Sequence, residues 1–421
     1  MTHLYLIEDA AAHRWEPFAR TRPIGELLFG TMLLRERVEH CLRLEVAGYV
    51  GRDALVGFEE EGSPPVLPAG SPTLEEPVMA LSSRFVPPDP GTPELARLAE
   101  LLGRSTGSRL RLVVGGVTAG WILPPGTRLP PLPGDGEFEA FEVAGSLLSD
   151  PWTLMSVNAA RTSADLRGSS NAGETRRPLS RVDLPGVHFL GGEAVTAGSS
   201  VDVEPGCIFD TRRGPIHLGD GVRVQGPARI EGPSFFGKGS VVLGGTLSGV
   251  SCGPVCKLRG EIDSSVLLGY ANKAHDGYLG HALVGRWVNL GAMTTNSDLK
   301  NNYGNVRLPL AGRDVDTGLI KVGAFLGDHV KTGIGTLLST GSIIGAGANV
   351  VSEGLSPRSI PPFAWITPGG TTTYRKEPFL DTVERAMARR DVSLPDGMRG
   401  VLARAWEESQ AGGPGAGGGC P

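Results

Sequence analysis

The densest group of side chains that could perform chemistry lies in the segment NKAHDGYLGHALVG, residues 272–285. It places Lys273, His275 and Tyr278 close together, and a second histidine, His281, follows. A neutral imidazole accepts a proton near pH 7, so His275 is a candidate general base. A structural histidine is the competing interpretation, and the crowding of several reactive side chains in one short polar break favours the catalytic one.

A six-residue repeat surrounds this segment and predicts the architecture that positions it. A mostly apolar residue, commonly followed by glycine, recurs at every sixth position in three runs: Leu218, Val224, Ile230, Phe236 and Val242; Val284 and Leu290; Leu326, Thr332, Leu338, Ile344 and Val350. This repeat is typical of a β-solenoid, in which six residues form a short strand and a corner, and three such units close a triangular coil. A glycine-rich β-sandwich is the competing fold.

The repeat is interrupted immediately after the chemically dense segment. Between Leu290 and Ile320 the chain reads AMTTNSDLKNNYGNVRLPLAGRDVDTGL, which is polar and lacks the six-residue step. A smaller insertion, TRRG, lies between Ile208 and Leu218. A long excursion from a regular scaffold usually lies over a binding surface. We therefore expect the functional site of the solenoid near the excursion.

The first 166 residues follow a different pattern, in which predicted strands and helices alternate. HLYLIED, RLEVAGYVG, PVMALSS and RLRLVVGG predict strands, whereas ELLFGTMLLRERVEHCL and ELARLAELLG predict helices. Such alternation predicts an α/β domain with a largely parallel sheet. A further predicted helix, DPWTLMSVNAARTSADL, leads out of this domain.

These patterns divide the chain into five parts. An α/β domain (1–166) is followed by a linker (167–180), a solenoid (181–366), a helical extension (367–408) that we expect to pack near the end of the solenoid, and a glycine-rich tail (409–421) that we expect to be disordered.

Composition limits the partners and the compartment. The formal net charge is −5, from 40 basic and 45 acidic residues, so the bulk charge predicts neither a nucleic-acid nor an anionic-membrane partner. The five cysteines are few and scattered, which favours a reducing compartment. The sequence shows no signal-peptide pattern and no apolar run of about 18 residues, so we expect a cytoplasmic protein.

Three parts of the chain resemble the bacterial bifunctional sugar-nucleotide enzymes. They are GPVCKLRGEID, NKAHDGYLGHALVGRWVNLGAMTTNSDLKNNYGNVRL and the solenoid coils that follow. Those enzymes join a nucleotidyltransferase domain to a glucosamine-1-phosphate acetyltransferase and make UDP-N-acetylglucosamine. The likeness is greatest to a divergent branch of sugar nucleotidyltransferases, whose opening motif resembles TRPIGELLFG, residues 21–30. The resemblance implies an α/β nucleotidyltransferase-like domain, then an all-β left-handed parallel β-helix of hexapeptide repeats that works as a homotrimer.

The resemblance also implies roles for individual residues. His275 corresponds to the general base for the acceptor amine, and Asn296 is a catalytic candidate because an amide can donate to the developing thioester oxyanion. The predicted substrate-binding residues are Lys257, Lys273, Tyr278, Asn289, Asn302 and Tyr303, the last two together with Asn301 reaching across a trimer interface. The predicted acetyl-CoA contacts, in the groove between neighbouring solenoids, are Ala292, Ser339 and Arg358.

The chain departs from the better-known enzymes at three points. It reads EIDSSVLLG where they have a lysine pair, Met293 replaces a glycine, and no glycine-rich GxGTRM-type loop precedes position 50. Such loops hold nucleotide phosphates through backbone N–H groups. Arg22 remains as a nucleotide contact, although an ordinary helix start would also explain Arg22-Pro23. The sequence identifies no metal ligand, and Mg²⁺ is expected if the first domain is active.

The sequence therefore predicts a transferase of sugar-nucleotide biosynthesis that acetylates an amino-sugar 1-phosphate and has sugar phosphate and nucleotide as ligands. A non-catalytic or regulatory nucleotide-sugar-binding trimer is the alternative that the missing loop favours. A third hypothesis is a zinc enzyme like the γ-type carbonic anhydrases, which use an H-x4-H pair where this chain has H-x5-H. Cys252 and Cys256 lack a second pair and are interpreted as packed thiols.

Overall fold

The computed structural model describes residues 3–68, 77–104, 109–126, 138–168, 176–180, 182–310 and 312–411, and side chains are described for these residues except 102–104. Residues 169–175 of the predicted linker and residues 412–421 of the predicted disordered tail lie outside the described residues. None of the described helices is both long and apolar enough to cross a membrane.

A seven-stranded mixed sheet forms the amino-terminal domain. Its strands lie in the spatial order Glu139–Glu142, Leu110–Val114, Val117–Leu123, Val78–Ser82, His3–Ile7, Val46–Val50 and Val66–Leu67. All four predicted strands are confirmed. Neighbouring strands are parallel except for Val117–Leu123, which is antiparallel to both of its neighbours. It returns directly from Leu110–Val114 through two glycines with positive φ, and so short a connection permits only an antiparallel pair.

Helices cover this sheet and connect it to the solenoid. The α-helices are Leu34–Leu42, Pro93–Arg104, Thr153–Ser156 and Asn158–Arg167, and single 3₁₀ turns are Ala12–Arg14, Ile24–Glu26 and Asp53–Leu55. A small antiparallel pair joins Phe85–Val86 to Ser146–Leu147. Both helices predicted near residues 94–103 and 150–166 are confirmed, the second of them interrupted at Val157.

The helix predicted over residues 26–42 is wrong in its first half. Only Leu34–Leu42 is helical, and Leu28–Phe29 and Met32–Leu33 form a short hairpin. Gly30, with φ +71°, makes its turn, where a Cβ would lie 2.3 Å from a carboxylate oxygen of Asp165. The hairpin therefore packs tightly against the last helix of the domain.

The carboxy-terminal half is a parallel β-solenoid of stacked coils, matching a left-handed β-helix. The strands of its first face are Arg177–Pro178, Val195–Ala197, Ile216–Leu218, Ser234–Phe236, Ser251–Cys252, Val266–Leu267, Leu283–Val284, Phe325–Leu326, Ile343–Ile344 and Ser359–Ile360. Only the first of these strands is antiparallel to its neighbour. The sandwich interpretation is therefore wrong.

Two further faces close the triangular coil. The second face contains His188–Leu190, Ile208–Asp210, Ala228–Glu231, Gly245–Ser248, Glu261–Asp263 and Tyr278–Gly280, then Thr295–Asn296 and Leu337–Leu338. The third contains Asp202–Val203, Arg223–Val224, Val241–Val242, Lys257–Leu258 and Asn272–Lys273, then Lys331–Thr332, Asn349–Val350, Ala364–Thr367 and Gly370–Thr373. All residues of the predicted repeat are buried in the prism, and Cys252 and Cys256 are buried there as free thiols.

The excursion begins later than predicted, because Thr295–Asn296 is still a strand of the second face. Beyond it the chain forms an antiparallel hairpin, Arg307–Leu310 with Arg313–Asp316. Leu308 is buried in an apolar cluster that also contains Phe18 and Phe325. The excursion thus joins the solenoid to the amino-terminal domain.

The amino-terminal domain lies along several coils of the solenoid. Asn158 Nδ2 donates to Ser251 Oγ at 3.1 Å, and the Thr21 hydroxyl donates to Asp328 Oδ2 at 2.8 Å. Two carboxy-terminal helices, Lys376–Ala388 and Asp396–Ala411, lie in the predicted helical extension, and the second continues to Ala411, beyond the predicted boundary at residue 408. They share a core with both domains, in the cluster of Phe379, Met398, Leu55, Phe58 and Trp287.

Candidate functional site

A ladder of polar side chains runs along the outside of the third face. Lys257 pairs in register with Asn272, Asn272 with Asn289, and Asn289 with Lys331. Successive coils of a parallel solenoid are about 4.8 Å apart, so equivalent side chains stand side by side. The Asn272 Nδ2 donates to Asn289 Oδ1 at 2.8 Å. Strand alternation places the residue after each of these, such as Leu258, inside the prism.

The ladder is one wall of a basic cavity of about 370 Å³, and the carboxy-terminal end of helix Lys376–Ala388 is the other. The cationic lining residues are Lys257, Lys331, Arg389 and Arg390, and none of the lining residues is acidic. Burial lowers the pKa of Lys331 to about 8, and the charge of Arg390, with some burial, lowers the pKa of Lys257. Lys257 and Asn289, both predicted to bind substrate, line this basic cavity together.

A second cavity, of about 340 Å³, adjoins the basic cavity at the ring pair of Tyr270 and Trp287, which lines both. The two rings stack with centroids 4.1 Å apart. The second cavity is lined on one side by residues 59–61, which are three glutamates of the amino-terminal domain, and on the other by the carboxy-terminal helices. We call it the acidic cavity.

His275 lies at the corner that follows the strand Asn272–Lys273, and its side chain is exposed. Lys273 points into the prism and is 1% exposed. Its ammonium donates to the carbonyl oxygens of Arg259, at 3.0 Å, and of His275. Burial lowers the pKa of Lys273 to about 8. In this position Lys273 holds the turn that carries His275 rather than facing an external phosphate.

Tyr278, predicted to bind substrate, belongs to a cluster around Asp298. The Tyr278 hydroxyl donates to Asp298 Oδ2 at 2.8 Å, and His281 Nδ1 lies 2.7 Å from the same oxygen. Lys321 Nζ is 3.9 Å from it. Burial would raise the pKa of Asp298, but the hydrogen bonds from His281 and Tyr278 outweigh burial and lower it. The sequence offered no local signal for Asp298, which comes from the excursion.

Asp263, His281 and Asp298 are also the one group of three metal-ligating residue types that the described part of the chain brings within 4.8 Å of one another. It contains one histidine rather than the three of the zinc hypothesis. His329 is buried elsewhere, its ring parallel to Trp287 and edge-on to Phe379. The positive charge of the nearby Lys321 would repel a metal cation at this position, so we assign the group to hydrogen bonding.

Asn296 is buried and its amide is occupied by the backbone. Its Oδ1 accepts from the Gly280 N–H at 2.8 Å, and its Nδ2 donates to the carbonyl oxygens of Gly280 and Ser297. Asn296 therefore fixes the end of the strand that carries Tyr278, and its catalytic role stays a prediction.

Asn301, Asn302 and Tyr303 lie at an exposed turn of the excursion. Asn302 Oδ1 accepts from the Gly304 N–H at 3.1 Å, and Tyr303 is 72% exposed. Asn302 therefore closes the turn, whereas the Tyr303 ring remains available to another molecule.

The three residues predicted to bind acetyl-CoA lie at separate corners. The Ala292 carbonyl oxygen accepts from Gly335, the Ser339 carbonyl oxygen accepts from Ser342, and Arg358 pairs with Asp314 of the excursion hairpin. An acetyl-CoA-binding groove formed by Ala292, Ser339 and Arg358 together stays a prediction.

Arg22, predicted as a nucleotide contact, is fully buried where the two domains meet. Its Nε donates to Asp328 Oδ2 at 2.9 Å, and its two terminal nitrogens donate to Glu60 at 3.0 Å each. Arg286 of the solenoid also pairs with Glu60. Burial would raise the pKa of Glu60, but the charges of Arg22 and Arg286 outweigh it and lower the pKa to about 2. Arg22 thus joins the domains and has no donor directed at a nucleotide.

The carboxyl ends of the parallel strands are where an α/β sheet usually binds its ligand. There Asp9 accepts from Arg84, from Ser82 and from the N–H groups of Ala11 and Ala12. The neighbouring Glu8 is buried, and burial raises its pKa to about 7. Among the described residues these carboxylates are either paired or buried, so they do not fit a Mg²⁺ site.

Comparisons with known proteins identify both activities in relatives. Residues 4–171 match a family model described as sugar nucleotidyl transferase. A bifunctional sugar-1-phosphate nucleotidylyltransferase/acetyltransferase of Sulfurisphaera tokodaii is 31% identical over 100 residues, covering 24% of this chain and 25% of that protein.

Proteins named bifunctional protein GlmU also match. That of Bordetella parapertussis is 26% identical over 52% of each chain, and that of Stenotrophomonas maltophilia is 28% identical over 49% of this chain and 46% of its own. The matches thus span about half or less of these relatives. The chain is therefore similar, at the low identity of a divergent relative, to the bifunctional sugar-1-phosphate nucleotidyltransferases/acetyltransferases, and its amino-terminal domain matches the sugar nucleotidyl transferase family.

Proposed function

We propose that this protein is a transferase of sugar-nucleotide biosynthesis that acetylates the amine of an amino-sugar 1-phosphate with acetyl-CoA, and that glucosamine 1-phosphate is the acceptor. The observation that supports the proposal most is the basic cavity, whose wall includes Asn272, three residues before His275 in the chain. It is lined by Lys257 and Asn289, and a sugar phosphate needs both cations and amide groups.

The proposed chemistry assigns one role to each group. The acceptor enters as an ammonium, and the exposed imidazole of His275 takes its proton. The free amine then attacks the thioester carbonyl carbon, so that a C–N bond forms, the C–S bond breaks and CoA leaves as a thiol with the released proton. Tyr278, held by Asp298, and Asn289 orient the sugar, and Lys257 holds its phosphate.

We further propose that three copies assemble through the second face. Leu337 and Leu355 pair across adjacent coils of the solenoid and are 42% and 63% exposed. Ile334, at the preceding corner, is 84% exposed. Exposed apolar patches of this kind mark contact surfaces between proteins. In the trimer, acetyl-CoA occupies the groove between neighbouring solenoids near Ser339 and Arg358.

For the amino-terminal domain a second candidate function is binding without turnover. Nucleotidyl transfer to give UDP-N-acetylglucosamine would use Mg²⁺, whereas Asp9 is engaged with Arg84 and Arg22 is engaged with Glu60. These ion pairs favour a non-catalytic nucleotide-sugar-binding domain.

A coupled assay of the full-length protein separates these functions. The reaction contains glucosamine 1-phosphate, acetyl-CoA, UTP and Mg²⁺, and free CoA and pyrophosphate are followed separately. Release of CoA that requires the sugar supports the acetyltransferase, and pyrophosphate release would show that the first domain turns over. If no free CoA is released from acetyl-CoA with any member of a panel of amino-sugar phosphates, the acetyltransferase proposal fails.

A further inference from the structure

We propose that the basic cavity binds a pyrophosphate-bearing nucleotide, whose phosphates are held by Lys257, Lys331, Arg389 and Arg390 and whose rings lie beside Tyr270 and Trp287. The cavity shares Lys257 with the acceptor site proposed above. Binding of the nucleotide needs no acetyl transfer, so the two proposals can fail separately.

The charge of the cavity is the first argument. Four cationic side chains line it, and no lining residue is acidic. The buried arginines of the described chain are paired with carboxylates, as Arg37 is with Asp165 at 2.7 Å. By contrast, the structure records no ion pair for any of the four cavity cations among the described residues. Like charges held together repel one another and favour an anion in the space between them.

This repulsion acts on Lys257, whereas burial acts on Lys331. The Arg390 charge, with some burial, lowers the pKa of Lys257, and burial lowers that of Lys331. Both ammonium groups therefore bind their protons more weakly in the cavity than in water. A phosphate between them would reverse that effect, because it stabilises the charged form of each.

The dimensions are the second argument. The basic cavity, at about 370 Å³, falls within the range of about 300–1,000 Å³ of small-molecule sites. The acidic cavity, of about 340 Å³, shares the stacked rings of Tyr270 and Trp287 with it. A ligand with phosphates at one end and a hydroxylated ring at the other fits this sequence of cations, aromatic rings and carboxylates. A sugar 1-phosphate is too short to use all three.

Two classes of molecule carry this chemistry, namely a nucleoside diphosphate sugar and coenzyme A. Both contain a pyrophosphate and a nucleoside. Coenzyme A has an additional phosphate on its ribose, whereas a sugar nucleotide brings a second hydroxylated ring to Glu59 and Glu61.

Isothermal titration of the full-length protein tests the proposal, with inorganic phosphate, pyrophosphate, UDP-N-acetylglucosamine and CoA as separate probes. We expect pyrophosphate to bind more tightly than phosphate, and one of the two nucleotides to bind more tightly still. The double variant Arg389→Gln/Arg390→Gln should weaken the binding of the tighter nucleotide by about tenfold or more. The reason is the loss of charged hydrogen bonds worth about 1.5 kcal/mol or more.

Arg385→Gln is the matched control. Arg385 lies in the last turn of the same helix, does not line the cavity and is exposed, with Asp381 3.7 Å away. It should bind the nucleotide like the wild type, and circular dichroism should show both variants folded. Equal nucleotide affinity in the double variant and the wild type, or no binding of pyrophosphate and either nucleotide at millimolar concentration, would overturn the proposal. Nucleotide binding without acetyl transfer would overturn only the acetyltransferase, and the tighter nucleotide identifies the ligand class.

Discussion

Asp298 Oδ2 lies 2.7 Å from His281 Nδ1 and also accepts the hydroxyl hydrogen of Tyr278, so one carboxylate oxygen of the excursion orients two side chains of the second face. The excursion therefore acts on the site from outside the repeat. Burial and this hydrogen bond both raise the pKa of Tyr278, which keeps its hydroxyl a donor.

Asp298→Asn tests this relationship. An amide holds the Tyr278 hydroxyl more weakly than a carboxylate does, by about 1.5 kcal/mol, so we expect the KM for the acceptor to rise by about tenfold. The pKa of Tyr278 should fall toward its ordinary value, which ultraviolet titration against a Tyr278→Phe reference measures. An unchanged Tyr278 titration would contradict the orientation that we describe.

His275→Ala should lower acetyl transfer by about 10² or more, because the imidazole is the group that takes the amine proton in the proposed mechanism. The measurement is the initial rate of CoA release, with oligomer mass by light scattering as the check on assembly. His281→Ala is the comparison, since His281 is held by Asp298. A normal rate in His275→Ala would remove this histidine from the mechanism.

Glu60→Gln should destabilise the protein and change its response to acid. Removing one partner of a buried ion pair costs about 3–5 kcal/mol, because Arg22 and Arg286 keep their charges. The folded pKa of Glu60 is lowered from 4.5 to about 2, so its contribution is present above pH 4.5 and lost as the pH falls toward 2. Chemical denaturation across this range should show a smaller pH dependence in the variant. If the free energy of unfolding depended equally on pH in the variant and the wild type, groups other than Glu60 would be responsible for the acid sensitivity.

Anion binding in the basic cavity should weaken as the pH rises through about 8. Burial lowers the pKa of Lys331 to about 8, and only its protonated form attracts a phosphate. Titration of pyrophosphate at several pH values should show this loss in the wild type and a smaller one in Lys331→Met. Parallel pH profiles would show that Lys331 does not hold the anion.

Leu355→Asp should yield monomers if the second face forms the trimer. A carboxylate at an apolar contact loses its water on assembly and has no partner there. Size-exclusion chromatography with light scattering gives the mass, and far-ultraviolet circular dichroism should be unchanged, because Leu355 is exposed in the single chain. A Val182→Asp variant, at an exposed apolar residue near the start of the solenoid, is the control.

The solenoid could be predicted from the sequence because its information is local. Each repeat residue, such as Ile230 or Ile344, is buried by the coil directly above and below it, so the six-residue step alone indicates the fold. Lys257 and Asn289, both predicted from the family resemblance, stand at equivalent positions two coils apart.

The errors arose where distant segments meet. Residues 26–33 have helical apolar spacing, yet Leu28 and Phe29 form a hairpin strand buried in one cluster with Val266 and Leu268 of the solenoid. Arg22 was interpreted either as a phosphate contact or as a helix start. Pro23 does precede the 3₁₀ turn Ile24–Glu26, but no sequence pattern indicated the partner of Arg22, Asp328, which lies 306 residues later. Arg389 and Arg390 carry no motif, and only the packing of their helix brings them to Lys331.

The amino-terminal domain is fastened to several coils of the solenoid, among them through Asn158 to Ser251 and through Thr21 to Asp328. Repetitive folds commonly change length by gaining or losing whole repeats, because each repeat contacts only its neighbours. Here one additional coil between Ser251 and Asp328 would move the second attachment point by about 4.8 Å and separate the buried charges of Arg22 and Asp328. The domain therefore fixes the number of coils between Ser251 and Asp328. We expect coils to be gained or lost during evolution only in the parts of the solenoid outside these two points.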